Sequence, residues 1–161
     1  MPLVCADSSP LRYLILIGEA RLLPLLYGNI LIPSIVFDEL RHSRTPSMVK
    51  DWMDDCPPWL HVVADEPALV LPSNELDPGE LATIRLASYR GADLILMDDR
   101  DAVRFAREEL GFAVTGTLGV LDRAAALGYV AMSGAIDKLR TTNFRARPEL
   151  LSGLLAKHGD G

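Results

Sequence analysis

The sequence predicts an α/β protein in which helices cover both faces of a central parallel sheet. Its length of 161 residues is typical of one domain, and 49% of the residues are hydrophobic, as in an ordinary globular protein. Short apolar runs alternate along the chain with longer segments whose apolar residues recur at helical spacing. Because a helix between two strands usually forms the crossover of a parallel pair, this alternation favours a parallel sheet.

In the first half of the chain, an apolar run that ends at Asp7 predicts a buried strand over residues 3–6. Ser9 and Pro10 are typical of a helix start, and Gly18 marks the end of that helix. The elements predicted next are a helix over 19–26, a strand over 30–32, helices over 33–40 and 46–55, and a strand over 60–63. Prolines in residues 64–76 predict a loop rather than a domain linker, because neither flank is large enough to fold alone.

In the second half, Asp77 and Pro78 predict the start of a strong helix that ends at Gly91. A strand is predicted over 93–97, and two aspartates follow it directly. The remaining predicted elements are a helix over 100–110, a strand over 112–115, and helices over 116–127, 133–141 and 147–157. We expect all of these elements to form one domain over residues 1–161.

Charge and composition restrict the possible partners. The formal net charge is −6 and the pI is about 5.0, which disfavours a protein that holds nucleic acid by bulk positive charge. A nuclease whose metal ion supplies the local positive charge is compatible with this balance. Cys5 and Cys56 follow no ligand spacing, so we expect reduced thiols in a cytoplasmic protein. We expect neither a signal peptide nor a membrane-spanning segment, since a span needs ~20 apolar residues.

Acidic residues stand at the places where a parallel sheet binds ligands, the carboxyl ends of its strands. Asp7 follows the first strand, and Asp98 and Asp99 follow the fourth. Glu39 lies late on the helix after the second strand, and Glu80 lies in the first turn of the helix before the fourth. Carboxylates gathered in one pocket repel each other, and a hard divalent cation with oxygen ligands removes that penalty. The pattern therefore fits a site at which a divalent cation such as Mg²⁺ assists phosphodiester hydrolysis.

Each acidic residue also has a structural explanation that the sequence leaves open. Asp7 and Ser9 can cap the first helix, and the acidic pair after the fourth strand can cap the helix that follows it. Glu39 can be a solvated helix residue, and Glu80 can stabilise the helix dipole. As a functional residue, Ser9 can hydrogen-bond a metal-bound water or a carboxylate.

Five segments carry a family resemblance in their order and spacing. They lie at residues 7–11 (Asp-Ser-Ser-Pro-Leu), 31–40 (LIPSIVFDEL), 79–82 (GELA), 92–100 (ADLILMDDR) and 114–121 (VTGTLGVL). This layout resembles the PIN-domain nucleases, most closely a branch of predicted nucleic-acid-binding PIN proteins encoded beside small antitoxins. The resemblance implies a three-layer α/β/α fold with a five-stranded parallel sheet in the order 3-2-1-4-5. It also implies a shared core over about 3–128, with extra helices over about 133–157.

The resemblance further implies a site and a function. PIN domains hold Mg²⁺ or Mn²⁺ with three or four carboxylates, and by position these match Asp7, Glu39, Glu80 and either Asp98 or Asp99. In the mechanism that we expect, Asp7, Glu80 and Asp98 or Asp99 hold the metal, and Glu39 orients or deprotonates the attacking water. Spacing alone does not decide which of the two adjacent aspartates is the main ligand. Many relatives are VapC-like toxins that cut RNA, form homodimers and are neutralised by a small antitoxin protein. The chain has Glu80 where many toxins have Asp, and Met97-Asp98-Asp99 where Thr-Asn-Asp is frequent.

Two groups of basic residues invite a second interpretation. They are Arg100, Arg104 and Arg107 on one predicted helix, and the run of Lys138, Arg140, Arg145 and Arg147. Either group can contact a phosphate backbone, and either can be a solvated surface.

The alternative to an enzyme is a non-catalytic PIN-fold module that binds nucleic acid or protein. All four acidic positions of the family are filled, which favours the enzyme. Receiver and dehalogenase-like phosphoryl-transfer domains fit poorly, because the acidic pair comes late in the chain and Ser9 stands where the latter need a second Asp.

Overall fold

The computed structural model describes residues 2–64 and 76–159. The strands in these ranges are β1 (Val4–Ala6), β2 (Ile30–Pro33), β3 (Leu60–Val63), β4 (Leu94–Leu96) and β5 (Val114–Thr115). The helices of the N-terminal part are α1 (Ser8–Leu16), α2 (Leu22–Tyr27), α3 (Ser34–Leu40) and α4 (Ser47–Asp54). Those that follow are α5 (Pro78–Arg90), α6 (Arg100–Arg104), α7 (Thr117–Ala126), α8 (Met132–Leu139) and α9 (Pro148–Lys157). The loop predicted over 64–76 lies, apart from its end residues, outside the described residues.

The five strands form one parallel sheet in the order β3-β2-β1-β4-β5. The predicted fold class and strand order are therefore confirmed. In this order β1 lies between β2 and β4, with Val4 paired to Ile30 on one side and to Leu94 on the other. The carboxyl ends of β1 and β4 are level, because Ala6 pairs with Leu96.

Two hydrophobic clusters lie on opposite faces of the sheet, as alternation along the strands requires. On β1, the side chains of Val4 and Ala6 belong to one cluster and that of Cys5 belongs to the other. The first cluster contains buried residues of α1, α2, α3, α4, α7 and α8, whereas the second contains buried residues of α5 and α6. The result is three layers, with a sheet buried on both faces.

Two elements differ from the predicted ones in a way that concerns the site. Helix α1 begins at Ser8, with Asp7 in the N-cap position, so Ser9 and Pro10 lie inside its first turn. The helix predicted over 100–110 ends as an α-helix at Arg104 and continues as a π-helical turn over Phe105–Glu109. Apolar spacing does not distinguish these two helix types over so short a segment.

Helix α9 packs against the larger hydrophobic cluster, and its C-terminal end is bound to α7. Asp122 of α7 accepts hydrogen bonds from His158 at 2.7 Å and from Lys157 at 3.0 Å, which fixes the end of α9. Leu151 and Leu154 of α9 pack against the larger hydrophobic cluster. Across 2–64 and 76–159, no helix combines the length and the apolar character that a membrane span requires.

Candidate active site

The acidic residues meet at the carboxyl edge of the sheet. The backbone N–H of Asp7 donates to the Leu96 carbonyl at 2.9 Å, so Asp7 lies beside the end of β4 and the two aspartates that follow it. Helix α3 brings Glu39 to this edge, and the first turn of α5 brings Glu80.

Asp7 is the most buried of these carboxylates, with 5% of its surface exposed. It stands in the N-cap position of α1 but makes no side-chain capping bond, so the capping explanation is wrong for this residue. Its Oδ1 atom is buried and has no hydrogen-bond partner among the described residues. The pKa of Asp7 is raised to about 8, chiefly by burial. A hydrogen bond from the Ser8 backbone lowers the pKa by less than burial raises it, and repulsion by Asp77, Glu80 and Glu39 raises it further.

Glu39 is half-buried rather than solvated, so the surface explanation is wrong as well. Its Oε2 accepts a hydrogen bond of 3.0 Å from the Ser8 hydroxyl. Desolvation, and next to it repulsion by Asp77, raises the pKa of Glu39 above its ordinary value, while the Ser8 bond lowers it. Gly79 of α5 lies against this side chain so closely that a Cβ atom there would overlap Glu39 Oε1. The absence of a side chain at residue 79 therefore makes room for the carboxylate.

Glu80 stabilises the start of α5 and is also buried among the other carboxylates. Its Oε1 accepts from the Asp77 N–H at 3.0 Å, and its own N–H donates to Asp77 Oδ1 at 2.8 Å, which is a capping box. Only 7% of Glu80 is exposed. Burial first, and then repulsion by Asp77, Asp99 and Glu39, raises its pKa to about 7.

Asp77 is the residue that the sequence analysis missed at this site. It repels Asp7, Glu39 and Glu80, so it contributes a fifth carboxylate. The signal that could have found it is the capping-box spacing, since an Asp three residues before Glu80 places the two carboxylates together.

The two adjacent aspartates after β4 have different surroundings. Asp99 is exposed, caps α6 by accepting from the Ala102 N–H at 3.0 Å, and repels Glu80. Asp98 points to α1 and α7 instead. It accepts from the Thr117 N–H and hydroxyl, both at 2.7 Å, and from the Ser9 hydroxyl at 2.8 Å. The structure thus brings Asp99 into electrostatic contact with Glu80. The hydrogen bonds of Asp98 instead tie the end of β4 to α1 and α7.

We call five carboxylates, each of which repels at least one of the others, the acidic cluster: Asp7, Glu39, Asp77, Glu80 and Asp99. Within 2–64 and 76–159, no three His, Cys, Asp or Glu side chains lie close enough to hold a metal ion as they stand. The chemistry of the donors nevertheless fits a hard cation, because all are carboxylates and the buried Asp7 Oδ1 lacks a partner among the described residues. Among the described residues, no lysine or arginine lowers the pKa of Asp7, Glu39 or Glu80 by its positive charge.

Comparison with known proteins agrees with this architecture. A family model described as PIN domain matches residues 3–160, nearly the whole chain. A search of curated proteins found no significant match. The sheet order, the carboxylates at the ends of β1 and β4 and the extent of the match lead to one conclusion: the chain belongs to the PIN-domain family, a superfamily of nuclease type.

Proposed function

We propose that this PIN-domain protein is an endoribonuclease that hydrolyses RNA phosphodiester bonds with Mg²⁺ or Mn²⁺. The observation that carries the proposal is the buried Asp7 carboxylate, whose Oδ1 has no partner among the described residues and whose neighbours are other carboxylates. Such a charge is costly in a protein interior unless it is paired, and a divalent cation is the natural counter-charge for several carboxylates.

The residues that would hold the cation are Asp7, Glu80 and Asp99. Asp98, whose two oxygens accept from Ser9 and Thr117, is the alternative to Asp99 at the last acidic position. When bound, Mg²⁺ or Mn²⁺ supplies positive charge that neutralises the scissile phosphate and lowers the pKa of a water molecule. The hydrogen bonds from the Asp77 N–H to Glu80 and from the Ala102 N–H to Asp99 each occupy one oxygen and orient the other.

Glu39 is the candidate for orienting the attacking water and accepting its proton. Its pKa lies above that of an exposed glutamate, which makes it a stronger base. The Ser8 hydroxyl fixes one of its oxygens, and Gly79 leaves space beside the other. Ser9 and Thr117 act on Asp98 alone and hold it in place.

A cleavage assay tests the proposal. Purified protein is incubated with labelled RNA and Mn²⁺ or Mg²⁺, with EDTA and Asp7→Asn as controls. We expect cutting that EDTA abolishes and that Asp7→Asn lacks while it retains the circular dichroism spectrum of the wild type. No cutting of several RNAs by folded, partner-free protein would favour a non-catalytic binding module instead.

The biological setting is part of the same proposal and is supported by the family resemblance of the motifs. We propose a cytoplasmic toxin of a type II toxin–antitoxin pair, a homodimer that a small antitoxin protein neutralises. Induced expression of the wild type is expected to arrest growth, whereas Asp7→Asn is not. Light scattering is expected to give a mass of twice 17.6 kDa; a monomer mass would contradict the dimer but not the nuclease.

A further inference from the structure

Arginines that are distant in sequence line one groove beside the acidic cluster. The groove has a volume of about 650 Å³ and lies between β5, α7 and the segment that joins α8 to α9. Its arginines are Arg100, Arg107, Arg145 and Arg147, and we call it the arginine groove. Asp98, the neighbour of Asp99 in the chain, also lines it. The groove therefore adjoins the end of β4, where the acidic cluster lies.

The positive charge of the groove is available to a ligand. All four arginines are exposed. Among the described residues, Arg100, Arg145 and Arg147 have no ion-pair or side-chain hydrogen-bond partner. Arg107 donates at 2.6 Å to the carbonyl of Val114, which is neutral and leaves the guanidinium charge in place.

The carboxylates that line the groove are already engaged by the protein. Asp98 accepts its three hydrogen bonds from Ser9 and Thr117. Asp122 is paired with Lys157 and His158. The arginine groove is thus a cationic strip on a protein whose net charge is −6. A local concentration of unpaired arginines on an acidic protein indicates an anionic ligand at that place.

An aromatic ring lies among the arginines. Phe144 lines the groove and is half-buried, and its ring meets that of Tyr13 edge to face, with the centroids 5.0 Å apart. Arginines for phosphates beside an aromatic ring for a base are the combination by which proteins hold nucleic-acid strands without sequence preference.

We propose that the arginine groove binds the phosphodiester backbone of a single nucleic-acid strand and leads it to the acidic cluster. Guanidinium groups suit this ligand, because each can donate two parallel hydrogen bonds to a phosphate. The role of the groove in catalysis rests on the proposed nuclease function, but binding of the strand requires neither metal nor cleavage. The groove also resolves how an acidic protein can hold RNA, since the contacts are local.

Binding in EDTA isolates the groove from catalysis. The probe is a labelled oligouridylate of about 20 nucleotides, longer than the ~4–16 nucleotides that one binding fold usually covers. Fluorescence anisotropy is measured between about 50 and 200 mM salt, because log K for binding through phosphate contacts falls linearly with log salt. The variant is Arg145→Gln with Arg147→Gln, which removes two charges from exposed side chains and retains most of their length.

We expect weaker binding and a smaller salt dependence. Each lost phosphate contact lowers the slope of log K against log salt by ~0.7 for a single strand, so the double variant should lose about 1.4. The matched control is Arg41→Gln with Arg104→Gln, which removes two exposed arginine charges that pair with Asp54 and Asp101 outside the groove. Arg145→Lys with Arg147→Lys should recover most of the slope, because it restores the charges.

The outcomes separate the groove from the nuclease. If the groove variant and the control variant lose the same amount of salt dependence, the proposal that the groove binds the strand is wrong, even if the wild type cuts RNA. A loss confined to the groove variant supports it, even if no RNA is cut, in which case the nuclease proposal fails alone. A DNA strand of the same length should lose the same slope in the groove variant, because the proposed contacts are to phosphates. If an acidic peptide such as oligoglutamate binds as tightly and loses affinity in the same variant, the ligand is an acidic protein segment and the proposal is wrong.

Discussion

At the scale of the residue, the fold places charges where they destabilise it. Asp7 is buried, one of its oxygens has no partner among the described residues, and the charged groups that raise its pKa further are all carboxylates. Replacing such a group by a neutral one of the same shape removes a desolvation cost. A buried carboxylate that lowers the stability of the fold is typical of a functional site, where it binds a ligand.

This cost has a definite pH dependence. The pKa of Asp7 is about 8 in the folded protein against 3.8 for a free aspartate, so the folded state binds the proton more tightly. The stability of the metal-free protein should therefore fall as the pH rises from about 4 to about 8. In Asp7→Asn this fall should be smaller, and the variant should be more stable than the wild type at pH 8 by at least about 1.4 kcal/mol, the equivalent of one pKa unit. Urea unfolding in EDTA at pH 5 and pH 8 measures both effects.

The control for this prediction is Asp38→Asn. Asp38 is an exposed carboxylate on α3, so its replacement removes the same charge without removing a buried one. We expect the wild-type pH dependence in this variant. If Asp7→Asn unfolds with that same dependence, Asp7 is not protonated in the folded protein at neutral pH.

Gly79 provides a prediction about the position of Glu39. A Cβ atom at residue 79 would overlap Glu39 Oε1, so Gly79→Ala should push the carboxylate away and break its bond with Ser8. We expect kcat for RNA cleavage to fall by up to about 100-fold, because a shift of ~1 Å in a catalytic group can cost that much. Gly134→Ala is the control, because nothing lies within 4 Å of a Cβ atom at that helical position. Wild-type kcat in both variants would contradict the assignment of Glu39.

At the scale of the element, the ends of strands and the starts of helices form the site. Most of this could be predicted from the sequence, because buried parallel strands are short apolar runs and the acidic residues follow them directly. The partners of each carboxylate could not be predicted. Asp99 lies near Glu80, whereas Asp98 is held by Thr117 of α7. Which of two adjacent aspartates faces Glu80 depends on the direction of the backbone after β4, and the local sequence does not determine that direction. The sequence shows two groups of basic residues but not that Arg100 and Arg107 line the same groove as Arg145 and Arg147, because the two pairs are distant in sequence.

Asp98 connects three elements, and the strength of this connection can be measured. The Thr117 hydroxyl supplies one of its three hydrogen bonds and is fully buried. Thr117→Val keeps the shape of the side chain and removes that bond. The free energy of unfolding should fall by about 1.5–3 kcal/mol, as expected for a hydrogen bond to a charged group. Chemical denaturation checks this.

The same substitution at an exposed threonine is the comparison. The Thr141 hydroxyl donates to the Lys138 carbonyl at 2.7 Å near the end of α8, where water can replace the bond. Thr141→Val should therefore change the free energy of unfolding by no more than ~0.5 kcal/mol. Equal effects of the two variants would mean that Asp98 does not depend on Thr117.

At the scale of the whole molecule, the sheet concentrates negative charge at one edge. Helix α6, the π-helical turn that follows it and the segment that joins α8 to α9 place arginines beside that edge. The arginine groove suits an anionic ligand, and the acidic cluster suits a cation that binds next to that ligand. A nucleic-acid strand and a divalent metal ion satisfy both surfaces at once. Neither surface alone accounts for the other, because carboxylates repel phosphate and arginines repel the cation.

Metal binding should therefore stabilise the whole fold, and more strongly as the pH rises. Mn²⁺ that binds only the folded protein adds RT ln(1 + [L]/Kd), which is about 2.7 kcal/mol at 100 times Kd. Carboxylates must lose their protons to bind a metal, and the pKa values of Asp7 and Glu80 are about 8 and about 7. We expect the rise in melting temperature with Mn²⁺ to be larger at pH 8 than at pH 6, and to be absent in Asp7→Asn. NaCl at equal ionic strength controls for screening. An Mn²⁺ effect that Asp7→Asn retains in full would place the metal away from the acidic cluster, and the two-surface account of the molecule would fail with it.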